Sequence, residues 1–253
     1  VSGSQSLSCR DVLVAFGGFR AVDGVSMDFV PGEINSVIGP NGAGKTTLMN
    51  VLSGRLTPRR GEVLLGGIDI SRKTSHQRAR LGIGRSFQIT KVFPEMTVFE
   101  NFRLAAQARL FRLQPFWRPA GSYDPLRAAA EEILEEVGMT GRRDQLAEEL
   151  SHGDQRALEL GITLATRPRV LLLDEPLAGV GEKEMDQTVA LIARVARGRT
   201  VVLVEHNIQA VMELSHRVFV MNQGKLLASG TPAEMRTDKS VRAAYLGDEN
   251  AAA

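Results

Sequence analysis

The stretch Gly39-Pro40-Asn41-Gly42-Ala43-Gly44-Lys45-Thr46 fits the pattern G-x-x-x-x-G-K-[ST] at every fixed position. Its flanks fit as well. An apolar, strand-like run from Ile34 to Ile38 leads in, and a helix-like run from Thr46 to Leu52 leads out. Glycines at 39, 42 and 44 let the backbone curl until several N–H groups point at one anion. The helix that follows adds the positive end of its dipole. Lys45 can bridge β- and γ-phosphates, and the Thr46 hydroxyl can reach Mg²⁺. The plain alternative is an ordinary glycine turn, and the strand–loop–helix context argues against it. The whole loop and the adjoining Thr47 are therefore candidates for holding a nucleotide.

A chain of 253 residues can bury one large α/β core, with or without a subdomain. At 43% hydrophobic and 24% charged, it has the make-up of a globular protein. A net charge of only +2 gives no general pull toward nucleic acid. A single cysteine, Cys9, excludes an intrachain disulfide and a cysteine metal cluster. No apolar run approaches the roughly 18 residues that cross a bilayer, and Val1 to Arg10 lacks a signal-peptide apolar segment. These features imply a cytoplasmic chain.

Around the loop, the pattern predicts an N-terminal mixed or antiparallel sheet. Leu7–Ala15 and Val25–Phe29 read as strands broken by Gly17-Gly18, and Val63–Leu65 reads as another. From about residue 97 to 161 the character is helical. Thr97-Val98-Phe99-Glu100 reads as a capping box, and Leu126–Val137 has helical spacing with a solvated acidic face. This region reads as a helical subdomain inserted into a single α/β domain spanning 1–253. Val170–Leu173, Thr200–Val204 and Val218–Met221 then read as buried strands, with a hairpin strand at Leu226–Ala228. Thr231-Pro232-Ala233-Glu234 marks a last helix start.

Two acids end the strand Val170-Leu171-Leu172-Leu173-Asp174-Glu175. Asp174 at the strand tip can hold Mg²⁺ through water. Glu175 can take a proton from an attacking water. Two acids after a strand are usually a loop or a cap, but a phosphate loop in the same chain reverses that preference. Leu150-Ser151-His152-Gly153-Asp154-Gln155 opens a helix that runs to about Ala165, with Ser151 as cap and Asp154 at the reciprocal position.

With these motifs in order, the chain resembles the nucleotide-binding subunit of ABC transporters over nearly its whole length. The set is completed by Gln88 in Ser86-Phe87-Gln88 and by His206 after Val204-Glu205. The resemblance implies a P-loop NTPase core of the ABC-ATPase type, with an N-terminal antiparallel β subdomain and the helical insertion. It implies ATP as substrate with Mg²⁺, and two cassettes paired head to tail. ATP then lies between the loop of one cassette and Ser151, His152, Gly153 and Asp154 of the other. It implies Glu175 as catalytic base and His206 at the γ-phosphate. Gln88 would sense Mg²⁺ and the γ-phosphate and link them to the helical subdomain. Phe16 matches the aromatic that stacks on adenine, with a packed strand residue as the alternative.

The finer resemblance is to the ATPases of branched-chain amino acid importers. It rests on residues 16–26, on 84–88 through 93–101, on 150–155, and on the ending Ala243-Ala244-Tyr245-Leu246-Gly247. It implies integral-membrane permease subunits, a second cassette of the same or another kind, and indirectly a periplasmic or extracellular solute-binding protein. The location it implies is the inner face of the cell membrane. Two positions depart from the common pattern: His152 replaces a glycine of the signature, and Gly181 stands where many cassettes carry Asp. Phe93, Pro94 and Met96 are either subdomain core or the rim of a groove for a permease helix. The segment Phe111 to Trp117 is either packed on the subdomain or a second permease contact. Other readings within the resemblance are a soluble cassette of iron–sulfur cluster assembly and the motor of lipopolysaccharide export. The His152 signature and the 84–101 passage favour the importer.

Overall fold

The two glycines at 17 and 18 turn the chain back on itself, so β1 (Leu7–Phe16) and β2 (Phe19–Phe29) form an antiparallel hairpin. In this computed structural model, which describes residues 5–86, 92–110 and 124–241, the chain divides into two compact units. The first comprises residues 1–85, 169–175 and 196–253, and the second 86–168 and 176–195.

The first unit contains two sheets. The hairpin joins β4 (Arg60–Leu65) and β5 (Ile68–Asp69) in an antiparallel sheet of order β2-β1-β4-β5. This is the expected N-terminal antiparallel element, with longer strands than the sequence pattern marked. The other sheet adds β3 (Ile34–Ile38), β6 (Ile83–Arg85), β7 (Val170–Asp174), β8 (Thr200–Val204), β9 (Arg217–Asn222) and β10 (Lys225–Gly230) in the order β10-β9-β3-β8-β7-β6. All its pairings are parallel except the hairpin of β9 with β10. Strands β3, β7 and β8 are buried at every position. That is why β7 and β8 read as near-continuous apolar runs, while β3 buries the polar Asn35 and Ser36 between apolar ends. A core of mainly Leu, Val, Ile, Met and Phe side chains joins both sheets and the helix after the phosphate loop, including Cys9, Leu48, Met49, Leu172 and Phe219. A smaller cluster with Ile38, Val211, Val220 and Met235 packs under the C-terminal helices.

Register fixes what lies at the edge. Val37 of β3 pairs with Val204 of β8, and Val204 pairs with Asp174 of β7. Strands lie about 4.8 Å apart. The loop after β3, the acids after β7 and His206 after β8 therefore leave one carboxyl edge across three neighbouring strands. In open α/β sheets that edge is where ligands bind.

Helix α1 (Lys45–Leu52) continues directly from the phosphate loop. At its far end stands α2 (Ser75–Arg80), which begins with a complete Thr74/Gln77 capping box. The C-terminal part of the unit adds α7 (Ile208–Leu214), capped by Asn207, and α8 (Pro232–Thr237), which has the Thr231/Glu234 capping box and Pro at its start.

The second unit is helical. It contains α3 (Val98–Leu110), α4 (Asp124–Val137), α5 (His152–Leu164) and α6 (Glu182–Ala196, whose last residue falls in the first unit). Thr97 Oγ1 accepts the Glu100 N–H, but the Glu100 carboxylate pairs with Arg103 at 2.6 Å, so the expected reciprocal cap gives way to an ion pair. The apolar stripe of α4 is Leu126, Ala130, Ile133, Leu134 and Val137, with its glutamates outward. Gly161 lets α5 approach Phe102 closely: a Cβ there would stand 2.4 Å from the ring.

Candidate functional site

The phosphate loop is shaped by two close backbone approaches. A Cβ on Gly39 would stand 2.2 Å from the Met221 carbonyl, and one on Gly44 would stand 2.3 Å from the Ala21 carbonyl. Gly44 also holds φ +98° at the N-terminus of α1, a conformation that L side chains resist. Among the described residues, the N–H groups of Gly42, Gly44, Lys45 and Thr46 donate to no backbone or side-chain acceptor. Ala43 N–H closes the turn onto Pro40 O at 3.2 Å, and Asn41 is exposed at the tip. Space is open in front of Gly42. Unsatisfied donors converging at a helix N-terminus form an anion cradle.

Lys45 is buried, and its Nζ donates to the carbonyls of Gly39 at 2.8 Å and Pro40 at 3.0 Å. Burial pushes its ammonium down from the ordinary lysine value, against the pull of the Glu175 and Asp174 charges. A cation held this way, with three donors and two carbonyl partners, has a donor left for a phosphate. Thr46 is exposed beside it and Thr47 is half-buried.

Asp174 is the last residue of β7 and is almost fully buried. Its Oδ2 accepts from Arg85 Nη2 at 2.7 Å. Its Oδ1 is buried and has no hydrogen-bond partner among the described residues. A buried carboxylate oxygen without a donor is costly unless something absent from the protein, such as a cation or its water, meets it. Mg²⁺ commonly takes one or two carboxylates plus substrate phosphates. Thr46 and Asp174 Oδ1 fit that donor set.

Glu175 follows with φ +51°, a left-handed conformation that is uncommon for a non-glycine residue. Its N–H donates to Val204 O at 2.8 Å, which prolongs the ladder by one residue. The turn aims the side chain out of the sheet edge, where Glu175 Oε1 meets His206 Nε2 at 2.9 Å. Backbone strain of this kind persists where the surroundings over-determine it and clusters at functional sites. Glu205, just before His206, is buried and accepts the His206 N–H.

Phe16 and Phe19 pair across the hairpin and are exposed at 56% and 65%. Phe16 is thus not a packed strand residue, and its ring is free for a stacking partner. Cross-strand partners share a face, so the two rings lie on one side of the hairpin.

In the second unit Ser151 caps α5, accepting the Asp154 N–H at 3.2 Å. The Asp154 carboxylate is held by the Ser151 hydroxyl at 2.8 Å and by Arg142 at 2.9 Å. His152 is exposed and Gly153 sits against the Glu184 carboxylate. Arg156 on the same helix donates to Ala178 O at 3.1 Å. Gly181 precedes α6, its carbonyl accepts the Glu184 N–H, and a side chain there would meet nothing within 4 Å. The backbone does not require glycine at 181. Phe93 and Met96 are exposed on a loop that buried Asn101 holds through both ends of its amide. Their exposure places both outside the subdomain core. Gln88, the segment 111–117 and the ending 243–247 lie outside the described residues.

Residues matching a family described as "ABC transporter" run from 22 to 178. The chain belongs to this family. Residues 225–251 also match a shorter family described as "Branched-chain amino acid ATP-binding cassette transporter". The chain is 40% identical over 251 residues to the high-affinity branched-chain amino acid transport ATP-binding protein LivG of Escherichia coli, covering 96% of this chain and 98% of that protein. It is 41% identical over 249 residues to BraF of Pseudomonas aeruginosa, with the same coverage. The lipopolysaccharide export cassette LptB of E. coli is less similar, at 32% over 245 residues. A solved ABC transporter cassette in its ADP conformation superposes with TM-score 0.84 at 30% identity, covering 96% of this chain and 99% of that one. As a family member, the chain is an ATPase that drives transport, built on the ABC-ATPase fold expected from its motifs.

One contributor went unread in the sequence. Arg85 lies inside a quoted passage, yet nothing in its spacing marks it as the partner of an aspartate 89 residues away. Its strand, β6, is only three residues long.

Proposed function

We propose that this chain is the motor subunit of an importer for branched-chain or related hydrophobic amino acids, working on the inner face of the cell membrane with permease subunits and a second cassette. Support for the cargo comes from the 40% and 41% identity to LivG and BraF and from the match at 225–251. Lipopolysaccharide export and iron–sulfur assembly are less favoured. No helix among the described residues is long and apolar enough to cross a membrane, so the permease supplies the path. A periplasmic or extracellular solute-binding protein would deliver the cargo.

The observation that carries the ATPase reading is the convergence at one sheet edge of the loop, Asp174, Glu175 and His206. The loop N–H groups and Lys45 bind the β- and γ-phosphates. Phe16 stacks on the adenine. Thr46 and Asp174 Oδ1 would hold Mg²⁺, with Gln88 as a further ligand. A Mg²⁺ held there would supply positive charge to offset the negative charge that develops on the phosphates. Glu175 accepts the proton of the attacking water, and His206 holds the Glu175 carboxylate and faces the γ-phosphate. Ser151, His152, Gly153 and Asp154 of a second cassette close over that phosphate with the positive end of α5. The Phe93–Met96 rim receives a helix of the permease. The two units act together as one nucleotide-binding domain.

Glu175→Gln tests this reading. Hydrolysis should fall about 10²–10⁴-fold, the contribution of a general base, while ATP affinity stays. Light scattering of this variant should show a dimer with Mg-ATP and none with Mg-ADP. Hydrolysis at the wild-type rate would remove Glu175 from the role of base.

A further inference from the structure

Arg85 spans the site from behind. Its Nη2 binds Asp174 Oδ2 at 2.7 Å, and its Nη1 donates to Asn50 Oδ1 and Ser53 Oγ at 2.8 Å each and approaches Met49 O at 3.4 Å. Both members of the Arg85–Asp174 pair are buried, with side-chain exposures of 8% and 5%. Asn50 and Met49 lie on α1, the helix whose first residues are Lys45 and Thr46, and Ser53 closes it. Arg85 therefore ties the tip of β7 to the body of the helix that begins in the phosphate loop.

A carboxylate has two oxygens, and this contact uses one of them. With Oδ2 committed to Arg85, Oδ1 is the carboxylate oxygen left without a hydrogen-bond partner among the described residues. The guanidinium fork can make both sets of contacts because its donors are planar and rigid. Two effects of removing it oppose each other. Loss of a nearby positive charge favours a divalent cation, whereas loss of the tether frees the ligand to turn. Partners that orient a ligating group typically matter about ten- to a hundredfold in metal affinity. Arg85 also ends the first unit, immediately before the Ser86-Phe87-Gln88 segment.

We propose that Arg85 is a positioning residue for the metal site. It presents Asp174 Oδ1 in register with Thr46 and so makes nucleotide binding responsive to Mg²⁺. This rests on the assignment of Asp174 as the Mg²⁺-holding carboxylate.

The test is the ratio of ATP-analogue affinities with Mg²⁺ and with EDTA, measured by fluorescence on the full chain with Arg85→Met, Arg85→Lys, Asp174→Asn and Arg85→Met/Asp174→Asn. Arg85→Met should leave the metal-free affinity within about twofold and lower the Mg²⁺ enhancement by at least about tenfold. The double variant should fall no further than Asp174→Asn alone, since coupled residues are not additive. Arg85→Lys keeps a buried cation but cannot reach all four acceptors, so its enhancement should be intermediate. It serves as the test if Arg85→Met does not fold. An unchanged or steeper Mg²⁺ enhancement in the folded Arg85 variant overturns the inference, as does strict additivity in the double variant. An unchanged enhancement in Asp174→Asn would instead overturn the metal-site assignment itself.

Discussion

Replacing Arg78 by methionine should destabilise the chain by about 3 kcal/mol, for reasons at the opposite end of α1 from the nucleotide. The guanidinium is wholly buried. It donates to Val51 O at 2.6 Å, Leu52 O at 2.8 Å, Ser71 O at 3.0 Å and Lys73 O at 3.1 Å. Val51 and Leu52 are the last residues of α1, so Arg78 satisfies carbonyls that a helix end leaves unpaired and places a cation at its negative pole. Methionine fills similar volume and donates nothing. Val51 O keeps the Gly54 N–H at 3.1 Å, which leaves three carbonyls to lose a partner. Each orphaned group costs about 1–3 kcal/mol if buried. Against this stands the relief of an expensive charge. Burial pushes the Arg78 pKa down to about 10, a charge cost of about 3 kcal/mol at 1.36 kcal/mol per unit. The carbonyl losses outweigh that relief by about 3 kcal/mol.

For a chain of this size, the corresponding drop in Tm is about 6–12 °C. The sign of the pH dependence follows from the lowered pKa. Above about pH 10 the folded chain gives up this proton before the unfolded chain does, so the charge cost is relieved only as pH rises past that value. The deficit of Arg78→Met should be constant from about pH 6 to 9. Thermal melts followed by circular dichroism at several pH values measure both. A Tm within about 2 °C of wild type would refute the idea that Arg78 caps α1.

Gly44→Ala should be more damaging than Gly42→Ala in melts of the nucleotide-free protein. Both hold positive φ, but only the Gly44 side chain meets a backbone carbonyl. An added strain of about 1–3 kcal/mol is expected, and the reverse ranking would sink the argument. Gly161→Ala should also destabilise, because overpacking against Phe102 costs about 1–3 kcal/mol and exceeds the gain in helix propensity of about 1 kcal/mol. Combining it with Phe102→Leu should recover part of the loss, and purely additive melts would contradict the contact. Cys9 should resist a thiol reagent at pH 8 in the native protein. Burial pushes its thiol up to about 12 and closes access. One thiol should appear on unfolding, and fast native labelling would show the strand to be open.

Much of the fold was legible because its signals are local. The limits of β3 and β8 follow from short apolar runs bounded by turn residues, and the observed strands Ile34–Ile38 and Thr200–Val204 have those same limits. Caps at Ser151 and Thr231 were readable for the same reason: a capping bond spans three residues. β6 was not, because three residues carry no period, and α2 was not, because its one buried residue is an arginine.

A phosphate loop, an acidic strand tip and a histidine after a strand can each be read along the chain, since each is a contiguous pattern with its own chemistry. Folding makes β3, β8 and β7 neighbours, which brings the three to one edge. It also sets which way each group faces. The left-handed turn at Glu175 aims its carboxylate at His206, 31 residues on. Arg85 takes one oxygen of Asp174 and leaves the other open. Such pairings depend on strand order and register, and neither is encoded in the spacing of residues along a single segment.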